Sequence, residues 1–312
     1  MAGKWITVLG SYVADLAFRV DALPVWGETR MGGSFALGPG GKGSNQAVAA
    51  ARAGGRVSFI SKVGDDPFGE MSRRMYHEEG IDTEFLYTTY EATGAAAILI
   101  DSAKGENAIV VVPGACFGLT TQEVDAAEDR IAASSVFVAQ LELPIAVVEH
   151  GLRLARAHGV RTILNPAPAM AMPESIFGLC DYLVPNETEA SALTGIPVRS
   201  ADDAEKAAEA LLARGVGSVV VTLGPQGALI RSEDVQEHVA ALYAGPVVET
   251  TGAGDAFNGG LAVGLAEGMD VVEATRFGCA VAGLSVTRPG TAPSMPRRHE
   301  VDVLLRASAP RH

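Results

Sequence analysis

Apolar residues along this chain gather in short runs that end in glycine or polar residues. Several runs have the length and the β-branched content of buried strands: Trp5–Leu9, Val57–Val63, Arg161–Leu164 and Ser218–Val221. In the second half, such runs alternate with helical patterns at 144–158 and 201–214. That alternation is typical of a doubly wound parallel sheet. The pattern therefore predicts an α/β fold with a mainly parallel sheet sandwiched by helices.

Two segments interrupt the alternation. Residues 18–35 are broken by one proline and three glycines, and they resemble small antiparallel strands. Two further extended runs, 95–100 and 108–112, flank a polar turn and predict a hairpin. We expect both segments, about 12–35 and 92–112, to form one small β-sheet lid on a single domain that spans 1–312.

Composition narrows the classes of protein. The net charge is −13, which disfavours a broad nucleic-acid surface. Cys116, Cys180 and Cys279 lack paired spacing, so a disulfide framework or a zinc site is not expected. The N-terminal residues lack the apolar length of a signal peptide, and no run is as long as a membrane span. These observations favour a cytoplasmic protein with no membrane partner.

The stretch from Glu249 to Gly260 places two glycines before a long Ala/Leu/Val-rich helical pattern. Gly252 and Gly254 leave no side chain over the helix entrance, whose N–H groups bind anions. Asp255 falls in the first turn, where a carboxylate is stabilised in its charged form. This combination suits phosphoryl transfer to a hydroxyl, with the carboxylate as the proton acceptor. An ordinary glycine-rich helix start with a capping Asp is the alternative.

A second glycine-rich turn also opens a helix. Gly38, Gly40 and Gly43 match G-x-G-x-x-G, and Asp65 lies at a suitable distance for a ribose-binding acid, so a dinucleotide-binding protein is an alternative. The glycines follow an irregular segment, however, and not the first buried strand. The turn is not a Walker A loop either, because Lys42 is followed by glycine. Lys42 and Asn45 are its polar side chains, and Asn45 suits a polyol.

Polar residues or glycines follow most of the predicted strands, which outlines a crevice along the carboxyl edge of the sheet: Asp15, Glu142, Asn165, Asn186, Thr222 and Gly224. Asn186, Glu187 and Glu189 form a candidate ligand set, acting through water, for the hydrated Mg²⁺ that accompanies ATP. The alternative for these acids is stabilisation of a helix N-terminus.

Five segments of the chain resemble the ribokinase-like carbohydrate kinases, the PfkB family: 40–50, 165–168, 185–189, 250–259 and 287–294. The segment 250–259, Thr-Thr-Gly-Ala-Gly-Asp-Ala-Phe-Asn-Gly, is the most specific, and the resemblance covers essentially the whole chain. It implies a central α/β sandwich with a β-sheet lid that also serves as the surface of a homodimer.

The resemblance implies roles for individual residues. Asp255 would be the catalytic base, and the anion hole would consist of the amides of Gly252, Ala253 and Gly254. The sugar pocket would include Asp15, Val13, Gly41, Lys42, Asn45, Glu142 and Asp255. ATP would be held by Asn186, Thr222, Gly224, Gly227 and Gly254, with Glu189 acting on Mg²⁺ through water. A monovalent cation, usually potassium, would be bound by Glu249, by carbonyls near Thr251, Ser285, Arg288 and Gly290, and by Ser294.

Two departures from the family pattern concern the sugar and the cation. Members that act on ribose have Asn at the position of Val13 and usually His at that of Leu16. The acid of the cation site is normally Asp, and Glu249 is one methylene longer. The resemblance as a whole implies an ATP-dependent kinase of the primary hydroxyl of a small free sugar, with ribose first, while the departure at Val13 favours a competing sugar. The alternatives are another sugar such as 2-deoxyribose or fructose, a nucleoside, or a non-catalytic sensor.

Overall fold

The structure, a computed structural model, describes residues 5–101 and 107–308. Its strands, in chain order, are β1 (Trp5–Leu9), β2 (Val13–Val20), β3 (Ser34–Gly40), β4 (Arg56–Gly64), β5 (Leu86–Thr89), β6 (Thr93–Asp101), β7 (Asn107–Gly114), β8 (Ser134–Ala139), β9 (Arg161–Leu164), β10 (Tyr182–Leu183), β11 (Ser218–Thr222), β12 (Ala228–Ser232) and β13 (Gln236–Val239). The strands predicted at Trp5–Leu9 and Arg161–Leu164 have these bounds.

The helices are α1 (Lys42–Arg52), α2 (Pro67–Glu78), α3 (Thr121–Asp125), α4 (Glu128–Ala132), α5 (Ile145–Ala157), α6 (Glu174–Phe177), α7 (Glu187–Thr194), α8 (Ala201–Leu212), α9 (Ala253–Glu267), α10 (Val271–Ser285) and α11 (Arg298–Ala307). Their starts follow local rules. Asp66 accepts hydrogen bonds from the N–H groups of Phe68 and Gly69, and Pro67 occupies the first turn of α2.

The main sheet has nine strands in the order β13-β12-β11-β10-β9-β8-β1-β4-β5. All neighbours from β11 to β5 pair in parallel. Side chains of β8 alternate between two apolar clusters: Val136 and Val138 belong to one, Phe137 and Ala139 to the other. Each cluster lies on one face of the sheet, so the predicted doubly wound α/β sandwich is confirmed.

The edge of the sheet departs from the strict alternation expected for the second half of the chain. β12 and β13 are antiparallel and form a hairpin beside β11. This hairpin has no helix between its strands, so the prediction of regular alternation is wrong there. The five parallel strand ends of β1, β8, β9, β10 and β11 remain on one edge.

A separate four-stranded sheet, in the order β3-β2-β6-β7, comes from the two segments that interrupt the alternation. β3 and β7 pair antiparallel with their neighbours, whereas the central pair, β2 and β6, is parallel. The turn predicted between the two extended runs falls on residues 102–106, which lie outside the described residues. In the described ranges, no helix is long and apolar enough to cross a membrane.

Candidate active site

Asp255 is buried in the first turn of α9, whose N-cap is Gly252. Gly252 has φ of 83°, the left-handed region that glycine adopts without a Cβ penalty. The N–H of Ala253 donates to the carbonyl of Thr250 at 3.1 Å. Within the described part of the chain, the N–H groups of Gly252 and Gly254 donate to no other group. They are left at the positive end of the α9 dipole, where an anion is favoured.

The Asp255 carboxylate receives one hydrogen bond on each oxygen from α1. Asn45 Nδ2 donates to Oδ2 at 3.0 Å, and Gln46 Nε2 donates to Oδ1 at 3.0 Å. Burial raises the pKa of Asp255, while Lys42 and these two amides oppose the rise. A buried carboxylate with a raised pKa is a stronger proton acceptor than an exposed one, which suits a general base.

Lys42 begins α1 and is the cation that faces the acids of the site. Burial lowers its pKa, but the carboxylates of Asp255, Glu142 and Glu189 outweigh burial and raise it overall. Glu142 in turn accepts hydrogen bonds from the Lys42 N–H at 2.9 Å and from the Ser11 hydroxyl. The segments that follow β1 and β8 therefore lie next to the N-terminus of α1.

Gly41 makes this meeting possible. Its φ is 87°, and a Cβ there would lie 2.9 Å from both the Ser11 carbonyl oxygen and the Val13 nitrogen. Only glycine fits this close approach without backbone movement.

Asp15, on β2, faces the same cleft. Burial raises the pKa of Asp15 to about 6, the Thr291 hydroxyl opposes the rise, and Glu142, Asp255 and Glu249 add to it. Thr291 Oγ1 lies 3.4 Å from Asp15 Oδ2 and 3.1 Å from the Pro39 carbonyl. The loop before α11 therefore contacts the small sheet at the site.

Val13 lies two residues before Asp15 on β2, so the two side chains share one face of the strand. Leu16 points to the opposite face, where it pairs with Leu37. The expectation that Leu16 replaces a polar group near the sugar is therefore corrected: its side chain belongs to the outer face of the small sheet.

Asn186 and Glu189 form the capping box of α7. Glu189 N donates to Asn186 Oδ1 at 2.8 Å, and Asn186 N donates to Glu189 Oε2 at 2.9 Å. Asn186 also bridges Thr222 at the end of β11. Burial raises the pKa of Glu189, and the Asn186 N–H opposes the rise. Glu189 therefore stabilises the start of α7, as the alternative interpretation of these acids expected. It also interacts electrostatically with Lys42. Glu187 lies in the same first turn.

Thr222, Gly224 and Gly227 lie around the tight turn between β11 and β12. Gly227 has φ of 98°, and its carbonyl accepts a hydrogen bond from the N–H of Leu223 at 2.8 Å. This turn stands beside Asn186, at the end of the sheet edge away from Asp15.

The candidate cation residues come from two segments that lie side by side. Val248 N donates to the Val286 carbonyl at 2.8 Å, and Gly290 N donates to Glu249 Oε2 at 2.9 Å. The hydroxyls of Ser285 and Ser294 each donate to a carbonyl three residues earlier, which leaves their oxygen lone pairs as acceptors. The Arg288 side chain pairs with Glu300. Thr251 is exposed and lies two residues before α9.

Three polar residues of the site were not predicted as site residues: Gln46 and Gln140, which are buried, and Thr291, which is partly buried. Gln46 lies on α1 among alanines and a valine, and Gln140 ends an apolar run. A buried amide at such positions needs a hydrogen-bond partner, and that requirement is the signal that could have identified them.

A model of the pfkB family carbohydrate kinases matches residues 4–298. The chain belongs to this family. Gly38 and Gly40 lie on β3 of the small sheet and not after the first strand of the main sheet, so the alternative of a dinucleotide-binding protein is set aside.

Individual pfkB-family relatives cover nearly the full chain. A ribokinase of Haemophilus influenzae is 40% identical over 95% of this chain and 97% of its own. A deoxyribokinase of Salmonella typhi is 36% identical over 93% of this chain and 95% of its own. The structure of Arabidopsis thaliana ribokinase complexed with ribose and ATP superposes with a TM-score of 0.93 at 30% identity, covering 98% of this chain and 99% of that one.

Proposed function

We propose that this pfkB-family kinase transfers the γ-phosphoryl group of ATP to the primary hydroxyl of D-ribose, which yields D-ribose 5-phosphate. The observation that supports this most directly is the position of Asp255. Its carboxylate accepts a hydrogen bond from the Asn45 amide, and Asp255 lies in the first turn of α9, next to the free N–H groups of Gly252 and Gly254 in the chain. Relatives that are ribokinases at 36–40% identity support ribose as the sugar.

In this reaction, Asp255 accepts the proton of the primary hydroxyl while that oxygen attacks the γ-phosphorus. The bond between the γ-phosphorus and the β–γ bridging oxygen breaks, and ADP leaves. The N–H groups of Gly252 and Gly254 donate to the phosphoryl oxygens as negative charge develops there. The carboxylates of Asp15 and Glu142 accept hydrogen bonds from the other sugar hydroxyls, and the Asn45 amide accepts or donates one. These contacts hold the reacting oxygen against Asp255. Lys42 balances the charge of the surrounding acids.

ATP would extend from the α9 N-terminus along the sheet edge towards Asn186, Thr222 and the turn at Gly224 and Gly227. Bound Mg²⁺ would neutralise part of the charge on the phosphates. In the described ranges, no group of three or more His, Cys, Asp or Glu residues could hold a metal by itself. Both Glu189 oxygens already accept from Asn186, so Glu189 fits a contact through water better than direct coordination.

A second candidate substrate is 2-deoxyribose. Val13 is 4% exposed and offers only methyl groups to the pocket. A deoxyribokinase is among the relatives at 36% identity. A wall without a hydrogen-bonding group suits a sugar that lacks one hydroxyl.

The function is tested by measuring ADP release with free pentoses, hexoses and nucleosides at equal concentration. We expect the largest kcat/KM for ribose or 2-deoxyribose and product phosphorylated at the primary hydroxyl. Phosphorylation of a nucleoside alone, or ATP hydrolysis without a phosphorylated sugar, would contradict the proposal.

A monovalent cation such as K⁺ is proposed to bind between residues 249–251 and 285–294. The donors there are a carboxylate, carbonyls and hydroxyl oxygens, the ligand types that hard cations prefer. We expect K⁺ to raise activity severalfold over tetramethylammonium at fixed Mg²⁺. Glu249→Gln should remove most of this difference, whereas Glu237→Gln, on β13, should not. Equal activity in both salts would refute the cation site.

The small sheet is proposed to act as a lid and as the surface of a homodimer. The register places Leu16, Leu37 and Val110 on one outer face, with Phe18 and Phe35 beside them. Val110 is 67% exposed and Phe35 is 55% exposed. An uncovered apolar sheet face with free edges favours a partner.

We expect a dimer by light scattering at micromolar concentration. Val110→Asp should yield monomers, because it places a charge in the buried interface. Val303→Asp alters a residue that is 58% exposed on α11 and should leave the dimer intact. A wild-type monomer would contradict the proposal.

A further inference from the structure

Gln46 is the residue through which two other buried amides reach Asp255. Gln46 Nε2 donates to Asp255 Oδ1 at 3.0 Å and lies 3.2 Å from Asn165 Oδ1. Its Oε1 accepts from Gln140 Nε2 at 2.7 Å. Gln46 is fully buried. All three hydrogen bonds hold this one amide, and one of them ends on the carboxylate.

A main-chain carbonyl determines how the side-chain amides of Asn165 and Gln46 are oriented. The Val184 carbonyl can only accept, so Asn165 presents Nδ2 to it, at 2.9 Å, and turns Oδ1 towards Gln46. Gln46 must then present its NH₂ group to that oxygen. The reverse orientation of Gln46 would place its oxygen against two acceptors, Asn165 Oδ1 and Asp255 Oδ1. The network therefore directs an N–H donor at Asp255.

The donor has two effects on Asp255. It holds the carboxylate in one plane, together with Asn45 on the other oxygen, so that the remaining lone pairs keep a fixed direction. It also stabilises the ionised form and so lowers the pKa of Asp255 against the rise that burial causes. A base whose ionised form is stabilised and whose lone pairs are oriented is better prepared to accept a proton.

We infer that Gln46 is a positioning residue for the reaction, which orients the Asp255 carboxylate and is itself oriented by Gln140 and Asn165. This inference rests on the proposed function, in which Asp255 is the base. Gln46 does not take part in proton transfer. It acts only through the carboxylate that it contacts.

The first test compares Gln46→Leu with Gln46→Glu and with a control on the same helix, Ser44→Ala. Gln46→Leu removes the donor at similar volume, and we expect kcat to fall about 10- to 100-fold with the sugar KM changed less than about threefold. The acid limb of the kcat–pH profile should move up by about half to one pH unit, because the ionised form loses a donor. Gln46→Glu should move it further, because it adds a like charge. Ser44→Ala should match wild type.

The second test asks whether the effect passes through Asp255. In the Asp255→Asn background, Gln46→Leu should cost little further activity, because the group on which it acts is gone. Gln140→Leu should lower kcat and shift the acid limb of the kcat–pH profile in the same direction as Gln46→Leu. Both effects should be smaller than those of Gln46→Leu. It tests the network even where Gln46→Leu folds poorly.

Three results would overturn the inference: a full additional loss in the Asp255→Asn background, an acid limb that stays in place in both Gln46 variants, or wild-type kcat in Gln46→Leu. A wild-type protein that phosphorylates no sugar would instead refute the proposed function. An active wild type with an unaltered Gln46→Leu variant would refute this inference alone.

Discussion

Asp255→Asn is expected to lower turnover by about two to four orders of magnitude, the usual effect of losing a general base. Asn has the same shape but cannot accept the hydroxyl proton. ATP affinity should change little, because the N–H groups that begin α9 are main-chain groups. Steady-state kinetics and calorimetric titration of ATP would measure the two effects separately.

The control for this variant is Asp302→Asn, which removes an acid on α11 whose partner is Arg298. It should retain wild-type turnover, since an exposed ion pair contributes little and lies outside the site. Near-normal turnover in Asp255→Asn would remove Asp255 from the mechanism.

Val13→Asn is expected to raise kcat/KM for ribose relative to 2-deoxyribose by about 10- to 100-fold. A ribose hydroxyl buried against the Val13 methyls without a partner costs about 1–3 kcal/mol. The Asn amide can exchange hydrogen bonds with that hydroxyl, which the Val13 methyl groups cannot do. The ratio of the two specificity constants is the measurement.

Val13→Leu is the matched control, because Leu has the same Cγ-branched shape as Asn without a polar group. It should not favour ribose. If the wild-type enzyme already prefers ribose strongly and Val13→Asn alters nothing, another group satisfies that hydroxyl and the explanation fails.

The main strands were predictable because buried parallel strands are short apolar runs bounded by turn residues. The hairpin of β12 and β13 was not predicted, since charged residues separate its two short runs and the preceding alternation favoured a helix there. The parallel pairing of β2 with β6 was also not predicted. This pairing joins segments that are distant in sequence, and the pattern of residues within each segment does not indicate which residues pair between them.

Part of the site could be predicted for a similar reason. Residues that follow parallel strands meet at one edge, so the proximity of Glu142 to the start of α1 follows from the fold class. The hydrogen bonds of Gln46 to Asn165 and Asp255 do not, because they depend on side-chain direction in three elements. The face of Leu16 was misjudged because strand alternation was not applied to it.

The contacts of the site join positions that are far apart in the chain: Asn45 and Asp255 are separated by 210 residues, and Asp15 and Thr291 by 276. During synthesis from the N-terminus, the residues proposed to contact the sugar therefore leave the ribosome long before Asp255, the proposed base. A chain that stops before α9 has neither the carboxylate nor the phosphate-binding amides. We therefore expect nascent chains and chains truncated before α9 to be unable to consume ATP, with catalytic activity appearing only when nearly the whole polypeptide has folded.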